Sequence, residues 1–128
     1  MLMRIWRRES EGQSPLNGLR KFWYWMCEDA AGNHRGLGCM ITNTAVEVAP
    51  HDEEIRGRVR KIYAEVESLI RTTLAKAQQD GELAADKDID AIARFLTQST
   101  QGIRVMAKVN PTKAFMRDVA EQTLSVLN

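Results

Sequence analysis

Two histidines, two cysteines and one acid set inside an apolar stretch are the side chains of this sequence whose types invite chemistry. His34 falls in Gly32-Asn33-His34-Arg35-Gly36, a run of loop composition, and His51 follows Pro50 at the start of a helical pattern. Neither has a Cys, Asp or Glu at metal-ligand spacing, so each reads as a loop residue and no metal is expected. Cys39 stands at a helix start, where a thiol pKa can fall, yet a buried and inert small hydrophobe is the simpler reading. Glu47 is the acid within the apolar stretch after Gly38; it reads as solvent-facing, with a buried hydrogen-bonding role as the alternative. No GxSxG, HExxH, GxGxxG or P-loop pattern occurs. A small helical enzyme would need a catalytic constellation that these residues do not supply, so no catalytic residue and no cofactor is expected.

Binding chemistry remains. Trp23, Met26, Met40, Tyr63, Phe95 and Met106 occupy helical positions that can face one interior, with Thr44 and Ser99 as polar points. Ligand pockets are mostly apolar with a few placed polar groups, and methionine lets such a wall adapt to varied shapes. Such a stripe of methionines and aromatics is nevertheless core more often than pocket.

The elements that must position them are helical. The longest pattern has apolar residues at Ile55, Val59, Ile62, Val66, Leu69, Ile70, Thr73, Leu74 and Ala77, the three-and-four spacing of one helix face. Pro50 precedes it, Asp52 is its N-cap, Glu53 and Glu54 complement its dipole, and Gly81 ends it. From Asp52 to Asp80 this spine would run roughly 43 Å. Glu54 with Arg58, and Glu67 with Arg71, stand four apart on its wet side. Before the spine, Ser14-Pro15 opens a helix to about Ala31, and Cys39 to Val48 is a short apolar helix candidate. Phe22-Trp23-Tyr24-Trp25 point around most of the first helix, so at least one ring must meet another surface, a cavity or water. Met1 to Glu11 is either the tail of a helix or a frayed terminus.

After the spine, Ala84 to Lys87 connect to a helix capped by Asp88, with Asp90 and Arg94 spaced as a pair. This helix, to about Lys108, carries two apolar stripes. Ile89, Ile92, Leu96, Ser99, Ile103 and Met106 form one; Phe95, Gln98, Gly102, Val105 and Val109 form the other. The second has no obvious partner within the chain. Asn110-Pro111 breaks the helix, and Thr112 caps a last one whose apolar side is Phe115, Met116, Val119, Ala120, Thr123, Leu124 and Leu127. The expected fold is all-α, with about five helices in one bundle.

The totals agree with one globular unit. The 128 residues carry 18 Lys and Arg against 17 Asp and Glu, a net charge of +1 that argues against a polyanion-binding module. No apolar run approaches the roughly 20 residues of a membrane span, and no signal peptide is visible. With two cysteines and no CxxC, reduced thiols and a cytoplasmic location are expected.

Three stretches then resemble a known family: SPLNGLRKFWYWMCED, GCMITNTAVEVAPHDEEIRGRVRKIYAEVESLIRTTLAKAQQDGEL and DIDAIARFLTQSTQGIRVMAKVNP are similar to the C-terminal domain of TetR/AcrR-type transcriptional regulators. The resemblance implies a five- to six-helix bundle of the TetR C-terminal domain type, a repressor's sensor, spanning 14–128, with 1–13 as the remnant of a linker helix. It implies homodimerisation through the last two helices and a small apolar or amphipathic effector among the others. The effector residues it points to are Trp23, Met26, Met40, Thr44, Tyr63, Val66 and Ser99. Those for the dimer interface are Phe95, Gln98, Gly102, Val105, Phe115, Val119 and Thr123. Family members carry a helix-turn-helix domain of roughly fifty residues ahead of this region. This sequence is expected to lack it, and so to meet DNA only through such a domain. A helical protein that dimerises with a full-length relative and titrates it is the alternative reading.

Overall fold

A computed structural model of the protein describes residues 2–32, 40–110 and 112–128. Six α-helices and two short 3-10 turns make up the described chain, with no strand among the described residues. In order they are α1 (Leu2–Ser10), α2 (Pro15–Ala31), α3 (Met40–Glu47), a 3-10 turn (Ala49–His51), α4 (Glu53–Gln79), α5 (Ile89–Met106), α6 (Lys113–Leu124) and a closing 3-10 turn (Ser125–Leu127). The all-α expectation holds. His34 and Cys39 lie outside the described residues.

The expected caps form. Asp52 accepts from the Ile55 N–H at 3.0 Å and Asp88 from the Ala91 N–H at 3.0 Å, each satisfying a donor that the helix start leaves open. At the far end of α4, Gly81 adopts φ +78°. The Glu82 N–H returns to the Ala77 carbonyl at 2.8 Å and the Gly81 N–H to the Gln78 carbonyl at 3.1 Å, the paired bonds of a Schellman turn. Leu83, just past the turn, is buried against the core.

This turn sends α5 back antiparallel to α4, and cross-helix bonds record the register. Gln78 Nε2 donates to the carbonyls of Ala84 and Lys87, both at 3.0 Å. Two turns back along α4, Arg71 Nε reaches Asp90 at 2.6 Å while its other end pairs with Glu67. Arg94 lies 3.7 Å from Glu67. The sequence spacing suggests that Asp90 pairs with Arg94 on its own helix. The structure turns both across the seam, because the register sets a complementary charge from α4 opposite each.

The same turn fixes other elements. The Glu82 carboxylate accepts from the Leu16 N–H at 2.7 Å, adding a remote cap to the N-terminus of α2. Lys87 Nζ donates to the Val126 carbonyl at 3.1 Å, tying down the closing 3-10 turn.

The core runs along α2, α4, α5 and α6, with Trp23, Leu19, Leu74, Leu96, Met116 and Leu124 its largest fully enclosed side chains. Helix α1 packs on α2 where Gly18 faces it: a Cβ there would stand 3.0 Å from Ser10 Cβ. Trp6 meets Phe22 edge-on at 5.3 Å, and Phe22 leans on Trp25 at 5.9 Å. Of the four consecutive rings, Phe22 and Trp23 are buried, Trp25 is half-buried, and Tyr24 turns to water. Met106, expected on the inward stripe of α5, is exposed. It is the helix's last residue, and the inward line continues through Ile103 to Ala107 instead.

Two glycines of this hairpin should respond oppositely to alanine. Gly81→Ala places a Cβ in the left-handed region and should lower stability by about 1 kcal/mol. Gly57 lies within exposed α4 with open space around it, so Gly57→Ala should raise stability by up to about 1 kcal/mol. Urea unfolding midpoints of the two variants and the parent check both signs.

Candidate functional site

Helix α5 is apolar where it meets the core, but its polar residues also follow a helical line: Thr97, Thr100 with Gln101, then Arg104. The α4–α5 register brings Gln101 opposite Tyr63, and α3 brings Thr42 to the same place. The Thr42 hydroxyl donates to Gln101 Oε1 at 2.7 Å and the Tyr63 hydroxyl to the same oxygen at 3.1 Å. Gln101 Nε2 in turn donates to Thr100 Oγ1 at 2.9 Å. The Thr100 hydroxyl passes to the Thr97 carbonyl at 2.7 Å, and the Thr97 hydroxyl to the Ala93 carbonyl at 2.7 Å. One amide side chain thus joins three helices.

A turn further along α5, Arg104 reaches Asp29 of α2 at 3.2 Å, with side chains only 16% and 11% exposed. Burying both charges carries a desolvation cost, and removing either partner would leave the other enclosed without compensation.

The residues expected to hold an effector are distributed across this region. Trp23 and Met26 are enclosed in the core cluster and Val66 packs against it. Tyr63 reaches the Gln101 amide. Thr44 is half-buried on α3. The structure does not bring Met40 to them, since it is 77% exposed at the start of α3. Ser99 is half-buried and turns its hydroxyl back to the Phe95 carbonyl at 2.7 Å, within its own helix. Trp23 is the unusual member: its indole Nε1 is buried and has no hydrogen-bond partner among the described residues. A buried donor left unpaired costs roughly 1–3 kcal/mol.

On the dimer set, Phe95, Gln98 and Val105 are exposed and Gly102 half-buried along α5. Around Gly102 a Cβ would find only Gln98 Nε2, at 3.9 Å. On α6, Phe115 and Val119 are half-buried against the core and Thr123 is already covered by its own chain.

Gln101, Thr42, Asp29 and Arg104 were not singled out from the sequence. The available signal was polar spacing of three and four along α5, which a search for apolar stripes passes over.

A groove of about 500 Å³ opens elsewhere, between the second half of α2 and the start of α6, with Tyr24, Trp25, Cys27 and Met116 among its walls. Burial pushes the Cys27 thiol up to about 11, partly opposed by the nearby Arg104 cation, so it stays protonated near neutrality. Among the described residues no group of three or more His, Cys, Asp or Glu is placed to hold a metal ion, and no helix is long and apolar enough to cross a membrane.

The comparisons with known proteins converge. The family described as "Tetracyclin repressor-like, C-terminal domain" matches residues 15–123. An uncharacterized HTH-type transcriptional regulator of Bacillus subtilis, YezE, is 35% identical over 95 residues, covering 73% of this chain and 49% of the relative. The HTH-type transcriptional repressor DhaR of a Mycobacterium species is 27% identical over 92 residues, covering 72% of this chain and 44% of the relative. The chain therefore spans about half the length of the curated relatives it matches. No solved structure matches it.

The three-helix junction predicts its own energetics. Gln101→Ala removes the acceptor of two hydroxyls and should cost about 1–3 kcal/mol, whereas Tyr63→Phe should cost only about 0.5–1.5 kcal/mol. In the Gln101→Ala background, Tyr63→Phe should add less than it does alone. A double-mutant cycle by chemical denaturation measures that coupling.

Proposed function

Since the chain belongs to the tetracyclin repressor-like C-terminal domain family, we propose that it is the ligand-sensing and homodimerising unit of a transcriptional repressor. In this reading the helices of 14–128 sense and pair. Sequence-specific contact with DNA is the work of a helix-turn-helix domain, as the names of both relatives indicate for those proteins. The family supports a regulatory role rather than catalysis, and the net charge of +1 fits a module that does not itself hold DNA.

The observation that carries the sensing role is the unpaired indole N–H of Trp23, enclosed in the core with Met26 and with Val66 packed against that core. An apolar or amphipathic effector with one acceptor atom would satisfy it and recover the cost of leaving it unpaired. Entry requires the core to open around Trp23. The adaptable Met26 and the short helix α3, held by Thr42 to the Gln101 amide, are suited to yield. An effector shifts the protein between conformers only by as much as it binds one better than the other.

Pairing rests on α5. Its outward stripe leaves Phe95 at 41% and Val105 at 44% exposed in a single chain, and Val109, just past the helix, at 81%. A two-fold interface built on α5 and α6 would cover this stripe and place Gly102 at a close helix approach. Homodimer interfaces of this kind bury on the order of 2,000 Å² or more in total.

For the dimer, sedimentation equilibrium at low micromolar concentration should give twice the chain mass for the parent. Gly102→Leu should weaken association at least tenfold and Glu65→Ala, exposed on α4, should leave it unchanged. A monomeric parent would refute the assignment. For the effector, compounds that raise the parent's melting midpoint by several degrees in a small-molecule screen should lose most of that effect on Trp23→Phe. Compounds that stabilise both proteins equally would remove Trp23 from the site.

A further inference from the structure

The groove between α2 and α6 has a chemistry of its own, separate from the Trp23 region: none of the seven residues expected to hold the effector lines it. We infer that it is a binding site for an amphipathic anion, a carboxylate carried on an apolar body. Its volume of about 500 Å³ falls in the range of small-molecule sites, roughly 300–1,000 Å³. Tyr24 and Trp25 supply rings at its walls, with the enclosed Met116 beneath them. Trp25 is braced from behind by Phe22 at 5.9 Å, so this wall is preorganised rather than collapsed into the opening.

The charges decide the sign of the ligand. Four ionic side chains line the groove: Glu28, Asp29, Lys113 and Arg117. Asp29 is committed to Arg104 at 3.2 Å, in a pair that faces largely away from water. That leaves one carboxylate, Glu28, against two cations. Neither Lys113 nor Arg117 has an acidic partner among the described residues. They stand one turn apart on the first turns of α6, whose positive helix end adds to their field. A carboxylate is therefore drawn to the α6 side while its apolar body lies on Tyr24 and Trp25. A cation of the same shape would meet two like charges on the α6 side of the groove.

The inference does not depend on the sensing role proposed for the core, and the experiment keeps the two apart. Decanoate and decylammonium, with equal chains and opposite charge, are titrated into the full chain by calorimetry and by ¹H–¹⁵N NMR. Decanoate should bind at least tenfold more tightly than decylammonium, with shifts concentrated at 24–32 and 113–117. Lys113→Glu and Arg117→Glu, both exposed and remote from the core, should each weaken decanoate at least tenfold. Lys21→Glu, exposed on α2 outside the groove, should not, and Trp23→Phe should not. Failure of decanoate to bind would overturn the assignment, as would equal affinity for the two probes or equal loss in Lys21→Glu. Binding abolished by Trp23→Phe but kept in Arg117→Glu would also overturn it, by moving the ligand to the core.

Discussion

The turn from Asp80 to Asp88 is the constraint on which the rest of this bundle depends. It ends α4 through Gly81, starts α5 through Asp88, caps α2 through Glu82 and holds the C-terminal 3-10 turn through Lys87. Four elements are thus located by nine consecutive residues. Two antiparallel helices joined by a short rigid turn have little freedom to slide, because each step of slip would break the Gln78 bonds and the charges of Glu67, Arg71, Asp90 and Arg94 together. These exposed pairs are individually weak, and their value here is in fixing register rather than in adding stability.

Register is what carries the constraint from the turn to the Gln101 junction. Gln101 lies thirteen residues beyond the turn along the chain, yet it meets Tyr63 because the hairpin holds its alignment that far. Once Gln101 is there, its two-sided amide can accept from α3 and α4 while donating within α5. A helix as short as α3 has little stability of its own, and Thr42 is its one buried residue. Its position is therefore borrowed from the hairpin, which makes it the element best placed to respond if the interior changes.

The division of labour among polar groups follows from burial. The Asp29–Arg104 pair and the Gln101 junction are enclosed and satisfied, so they specify how α2, α3, α4 and α5 meet. The Trp23 indole N–H is enclosed and unsatisfied, and it is the group with most to gain from a ligand. Lys113 and Arg117 are open and unpaired, and their pull is toward an anion arriving from outside. One small bundle thus holds an inward and an outward invitation.

Much of the architecture was determined by the sequence alone. Asp52, Asp88, Thr112, Ser14-Pro15 and Gly81 mark helix ends by local chemistry, since a cap satisfies backbone groups within a few residues and needs no partner elsewhere. The apolar spacing of α4 and α6 likewise placed the core, and the resemblance of three stretches to a regulator family located the chain among its relatives. Other features only the tertiary structure decided. Asp90 and Arg94 look paired in sequence but reach across to α4, because a charge chooses among neighbours that folding brings near. Gln101, Thr42, Asp29 and Arg104 acquire their roles from contacts 59 to 75 residues apart in the chain. Met40 and Ser99 fit a pocket by helical phase, yet phase gives only a direction around one axis. Whether that direction meets a neighbouring helix, as it does for Trp23, or water, as it does for Met40, depends on where the other helices stand.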